Sequence, residues 1–119
     1  MNLQEQISRM KSMMVLINET DYPLYLRRRF HLIDELVREN IPNIQIKNSW
    51  TNELYVKDFQ EYFDFLSRMV IKQFVHQVSR DFEDQEKIRN EYHDDIMDMI
   101  LKTNGDLIKQ SYLEKKNEN

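Results

Sequence analysis

The side chains able to do acid–base or metal chemistry in this chain are three histidines and a set of carboxylates on one predicted helix. His31, His76 and His93 fall on three different predicted helices. No two of them stand in the HExxH type of spacing that puts two imidazoles on one helix face. His93 is followed by Asp94 and Asp95, but an adjacent His-Asp pair alone is a weak metal signal. Glu91, Asp94, Asp95 and Asp98 lie within about a third of a helical wheel and form an acidic ridge. Glu91–Asp95 and Asp94–Asp98 are like-charge i,i+4 pairs, each costing an isolated helix about 0.2–0.5 kcal/mol. Lys102, four residues after Asp98, and Lys87 offset part of that cost. The ridge invites a basic counterpart, and three are available: Arg27 or Arg29 within the chain, a basic partner surface, or a divalent cation. One straight helix seldom supplies enough oxygen ligands for the cation.

Other chemistries lack their residues. There is no Cys, hence no thiolate nucleophile, disulfide or Cys-based zinc site. The sole Gly, Gly105, comes after a predicted helix and opens no phosphate loop, and there is no serine elbow. The expectation is a protein that is not an enzyme, with no catalytic residue, cofactor or metal. A metal-dependent enzyme working from Glu91, Asp94 and Asp95 is the third reading, behind two non-enzymatic ones.

The elements that would position these residues are helices. The 119 residues include one Gly and two Pro, and 32% are charged, a composition suited to long solvated helix faces rather than to many turns. This length supports one hydrophobic core. The net charge of −4 argues against nucleic-acid binding, which asks for a basic balance. MNLQEQISRMK places acidic and amide residues where a secretion signal needs a basic segment and then an apolar run.

The organising stretch is FQEYFDFLSRMVIKQFVHQV, residues 59–78. At about 100° per residue, Phe59, Tyr62, Phe63, Leu66, Met69 and Val70 share one face, with Phe65 at its edge. Ile71, Phe74, Val75 and Val78 form a second stripe displaced round the helix. Asp64, Arg68 and Lys72 break any membrane span, which needs about 20 nearly uncharged residues. A helix with a displaced stripe touches different neighbours along its length, kinks, or lays one stripe against another molecule; the contact surface expected here is Ile71, Val75 and Val78.

Upstream, Leu3, Ile7, Met10, Met14 and Ile17 make a narrow apolar stripe. It suits either a helix docked on the core or a detachable helix that lays Ile7, Met10 and Met14 into a partner's groove. Asp21 and Pro23 open a second helix, which runs to about Asn40 before Pro42. Arg27, Arg28 and Arg29 point in three directions on it and form no single basic surface. Arg29 falls inside the apolar arc, so it is expected in a structural ion pair or on a carbonyl. Ile44 and Ile46 alternate as a strand would, but a loop that tucks both into the core fits better, because one short strand has no pairing partner. Trp50 is then expected to anchor that loop to the helices; exposed, it would instead suggest a binding hot spot.

Ser49 or Thr51 can cap the central helix, giving it a start near 52. Ser79 to Asp84 lack Gly and Pro, so this helix is free to bend into the next. That helix runs from about Glu83 to Thr103 with Ile88, Tyr92, Ile96, Met99 and Ile100 inward, and Asn104-Gly105 reads as a left-handed stop. The fold expected is all-α: a compact bundle of four to five helices around a central helix near 52–80. Residues 1–17 would form an amphipathic helix, 21–103 the core, and 104–119 a short last helix and tail.

The opening Leu3-Gln4-Glu5-Gln6-Ile7-Ser8-Arg9-Met10-Lys11-Ser12-Met13-Met14 resembles a segment found in small uncharacterised proteins of marine tailed phages. Pro23, Tyr25, Arg27, Arg28 and Arg29 fit the Pro-x-Tyr-x-Arg-Arg-Arg stretch of those proteins. The resemblance covers roughly the first third of the chain and departs at Val15, where the common form has Gly. It transfers no catalytic residue. It implies a viral protein made in a bacterial cytoplasm, either carried in the virion or acting on a host factor. The function expected is protein–protein contact with a viral or host bacterial protein, with homo-oligomeric self-association as the alternative and no role for nucleic acid or membrane.

Overall fold

A computed structural model describes residues 22–117. The chain divides into two compact units at Phe30–His31. The described part of the first contains α1 (Leu24–Arg27), which opens on Pro23 with no side-chain cap. Pro23 sets the first turn because its carbonyl accepts from Leu26 and Arg27, and its missing N–H is no loss at a helix start. The helix does not run on unbroken to Asn40 as expected. Arg29 N–H donates to the Leu26 carbonyl, three residues back, so the chain tightens at Arg28–Arg29 before α2 (Phe30–Asn40) begins. Asp21 lies outside the described residues, as does the predicted helix 1–17 with Ile7, Met10 and Met14.

The second unit is all-α. It holds the body of α2, a 3-10 turn (Ile41–Asn43), α3 (Phe59–Val78) and α4 (Phe82–Asn117). α3 and α4 are the principal helix pair. On α3 the buried positions are Tyr62, Phe63, Leu66, Ser67, Val70, Ile71, Phe74 and Val75. They form two adjacent i,i+4 rows, and each step of four residues turns the face by about 40°. On α4 the matching row is Ile96, Ile100, Asn104, Ile108 and Tyr112. Rows of this kind on both partners are the pattern of ridges packed into grooves.

That geometry corrects the reading of α3. The apolar face drifts round the helix; it does not jump. Ile71 and Val75 are buried within the one chain and Val78 is half-buried, so Ile71 and Val75 offer no surface to a partner. α3 also starts later than 52, because neither Ser49 nor Thr51 caps it. Asp58 does, accepting from the Glu61 N–H at 2.9 Å, while the Glu61 carboxylate accepts from the Lys57 N–H.

Two further boundaries differ from expectation. α3 stops at Val78 with Ser79 in extended conformation. Ser79 and Asp81 then build the break from side chains: Asp81 N–H donates to Ser79 Oγ, and Asp84 N–H to Asp81 Oδ2. Polar capping does here what Gly or Pro does elsewhere. α4 in turn runs straight through Asn104-Gly105 for 36 residues, and Gly105 has no positive φ. Asn104 is buried and donates to Asp34 of α2 at 3.0 Å, so the residue read as a stop is a cross-link in the core. A separate last helix from 104 does not exist.

Buried polar pairs tie the three helices together. Asn40 and Gln73 exchange two side-chain hydrogen bonds, at 2.8 and 3.1 Å, between α2 and α3. Gln85 closes the α3–α4 joint through the Ser79 carbonyl and His76. No described helix is long and apolar enough to cross a membrane.

Candidate functional site

The segment between the 3-10 turn and α3 is a small hairpin. Ile44, Ile46 and Val56 are buried and pin its base, as expected for the two isoleucines. The pairing partner is the returning chain: Lys47 and Leu54 form an isolated antiparallel bridge. Asn48 N–H donates to the Glu53 carbonyl at 2.8 Å, and Tyr55 N–H to the Ile46 carbonyl at 2.7 Å. At the tip, Asn48 Oδ1 accepts from the N–H groups of Trp50 and Thr51, a side-chain turn typical of Asn. Asn52 closes it with φ 59°, in the left-handed region that Asn tolerates better than most residues.

This turn presents Trp50, which is 94% exposed, with Tyr55 at 59% beside the bridge. The expected anchoring of Trp50 is therefore corrected: the indole is displayed. Burial of the loop is done by Ile44, Ile46 and Val56 in its place. An exposed Trp on a hydrogen-bonded turn has the properties of an interface anchor: large contact area, few rotatable bonds and a held backbone.

The hairpin is held at both ends by the last turns of α4. Lys115 Nζ donates to the carbonyls of Ile41 and Ile44, the latter at 2.7 Å, and to Tyr62 Oη at 3.1 Å. Its three donors are thereby matched by three acceptors, none of them a carboxylate. The cation sits where α2 and its 3-10 extension end, where helix carbonyls lose their partners and positive charge is favoured. One turn earlier, Tyr112 Oη donates to the Lys57 carbonyl at 3.3 Å. The Tyr112 ring packs against Tyr62, centroids 5.4 Å apart, and against Phe59 at 6.2 Å. Tyr62 Oη also shares a hydrogen bond with Ser111 Oγ. Nothing in the sequence pattern marked Lys115, which sits in a tail of alternating charge.

The other sequence-predicted sites come out differently. Arg29 stacks on the Tyr25 ring, 3.7 Å from its centroid, and donates to the Tyr25 carbonyl at 3.0 Å. Of the two partners expected for Arg29, a carbonyl is found among the described residues, with a cation–π contact beside it. The acidic ridge stays a ridge. Glu91 and Asp94 are exposed, Asp95 and Asp98 half-buried, with Asp98 paired to Lys102 at 3.2 Å and Asp94 to His93 at 3.1 Å along the helix. Among the described residues no three His, Asp or Glu side chains gather as metal ligands. No family model, curated protein or solved structure matches the chain.

Proposed function

We propose that this is a phage-encoded, non-enzymatic protein-interaction module that engages a viral or host bacterial protein through the Trp50 hairpin. The observation that supports this reading is the near-complete exposure of the only tryptophan on a turn whose backbone is hydrogen-bonded on both sides. Most exposed hairpin tips carry small polar residues, and an indole there exposes apolar area with no gain to folding. The phage origin is supported by the resemblance of the opening segment and the Pro23–Arg29 stretch. Ile71 and Val75, which the fold covers, are left out of the proposed contact surface.

The test is a pull-down from bacterial lysate, with and without infection, using the full chain and its Trp50→Ala variant as paired baits. A protein retained by the first and lost from the second supports the reading. Equal retention by both baits, or retention of nothing but the chain itself, overturns it. With the retained protein in hand, calorimetry should show Trp50→Ala weakening binding by at least about thirtyfold, near 2 kcal/mol. The thermal midpoint should hold, because truncating an exposed side chain changes stability by no more than about 0.5 kcal/mol.

A further inference from the structure

We infer that the last turns of α4 act as a clasp that sets the geometry of the Trp50 hairpin, with Lys115 and Tyr112 as positioning residues for partner binding. The inference rests on the reading of Trp50 as the contact residue. The observation behind it is that one short stretch of helix reaches both stems of the same hairpin. Lys115 holds the entering stem at the Ile41 and Ile44 carbonyls, and Tyr112 holds the leaving stem at the Lys57 carbonyl. Within the hairpin there is a single bridge pair, Lys47 with Leu54, and a hairpin this small is marginal in water without outside support. That support comes partly from buried Ile44, Ile46 and Val56 and partly from these two polar contacts.

Lys115 is suited to this role because it is over-committed. All of its donors are used inside the chain, and its ammonium lies 5.2 Å from the Tyr62 ring centroid. Removing the charge leaves the Ile41 and Ile44 carbonyls without their cation. The bonds that shape the tip, Asn48 N–H to Glu53 and Tyr55 N–H to Ile46, then have one fixed stem in place of two. A loop ordered before binding keeps the ordering cost out of the affinity, and a loosened one meets that cost on contact. By linkage, a partner seated on Trp50 should in turn steady the end of α4.

Amide hydrogen exchange on the full-length chain tests this without any partner. In Lys115→Met the Asn48, Asn52 and Tyr55 amides should exchange about tenfold faster, as expected of a local opening, while those of Val70 and Ile100 keep their protection. Tyr112→Phe, which deletes one hydroxyl and keeps the ring, should speed the same hairpin amides by a smaller factor. It serves as the second variant should Lys115→Met unfold. Binding of the protein captured with Trp50 should weaken about tenfold in Lys115→Met with the indole itself unchanged. Hairpin amides that stay protected in both variants would overturn the clasp. Uniform loss of protection across α3 and α4 would also overturn it, because Lys115 would then be a general core contact. If exchange responds as expected but the pull-down returns no partner, the clasp stands as a structural device and the contact role of Trp50 is what fails.

Discussion

The two halves of α4 are one continuous helix under different regimes. From Ile96 to Tyr112 it buries Ile96, Met99, Ile100, Asn104, Ile108 and Tyr112, and it is cross-linked to α2 through Asp34 and to α3 through Tyr62. From Phe82 to Asp95 only Gln85 is buried; Ile88 and Tyr92 are half-buried and Phe82 is 71% exposed. The first half is held by local devices: the Asp81 cap, the acidic Glu83 and Asp84 of its first turn, and the Glu86–Arg89 pair. Such contacts are worth tenths of a kcal/mol to about one each. Burial of the second half is worth several times as much. Helical continuity therefore says little about where stability resides.

Matched isoleucines give the sharpest test of that contrast. Ile100→Ala should cost about 2–5 kcal/mol, the range for a fully buried aliphatic. Ile88→Ala should cost about 1 kcal/mol or less, because its side chain keeps part of its contact with water in the folded state. Urea denaturation of the two variants would measure both, and equal costs would erase the distinction between the halves. Gly105 sharpens it next. Its φ is not positive, and an added Cβ would come 3.5 Å from Leu101 Cδ1, an ordinary contact. Gly105→Ala should therefore stabilise the chain by about 0.5–1 kcal/mol, read as a raised thermal midpoint. Destabilisation would mean that the helix does stop there. The smallest effect is expected at the exposed start of the helix, where Phe82→Ser should stay within about 0.5 kcal/mol of the parent in the same denaturation assay.

The comparison also shows what could be read in advance. The all-α class, α2 and α3 as amphipathic helices, and burial of Ile44 and Ile46 were legible because apolar periodicity is a local property of the chain. The same periodicity points Ile96, Met99 and Ile100 inward, where they are buried. The errors have a common form. By residue type alone Asn104-Gly105 reads as a stop and Ser79–Asp84 as continuous helix, yet Asn104 donates to Asp34, seventy positions away, from inside an unbroken helix. Ser79 and Asp81 break the chain with side-chain caps that composition does not reveal.

The candidate site divides in the same way. Trp50 was noticed from its uniqueness, and its neighbours Asn48 and Asn52 are turn residues by type. Residue type points its indole inward, and that expectation fails because an indole in a loop serves equally well inside or outside. The third dimension decided it by filling the space beneath the hairpin with Ile44, Ile46 and Val56.

By itself the amino-acid sequence determined the helical class, the apolar faces, and the lack of thiol and glycine-loop chemistry, all of which follow from residue type and short-range period. Only the tertiary structure decided that both four-residue rows of α3, Tyr62 to Phe74 and Phe63 to Val75, are covered while Phe65 stays exposed, that α4 passes through its only glycine, and that Lys115 and Tyr112 close on the two stems of one hairpin. Those outcomes depend on which distant groups meet, and a pairing between residues fifty or seventy positions apart leaves no trace in the spacing of either.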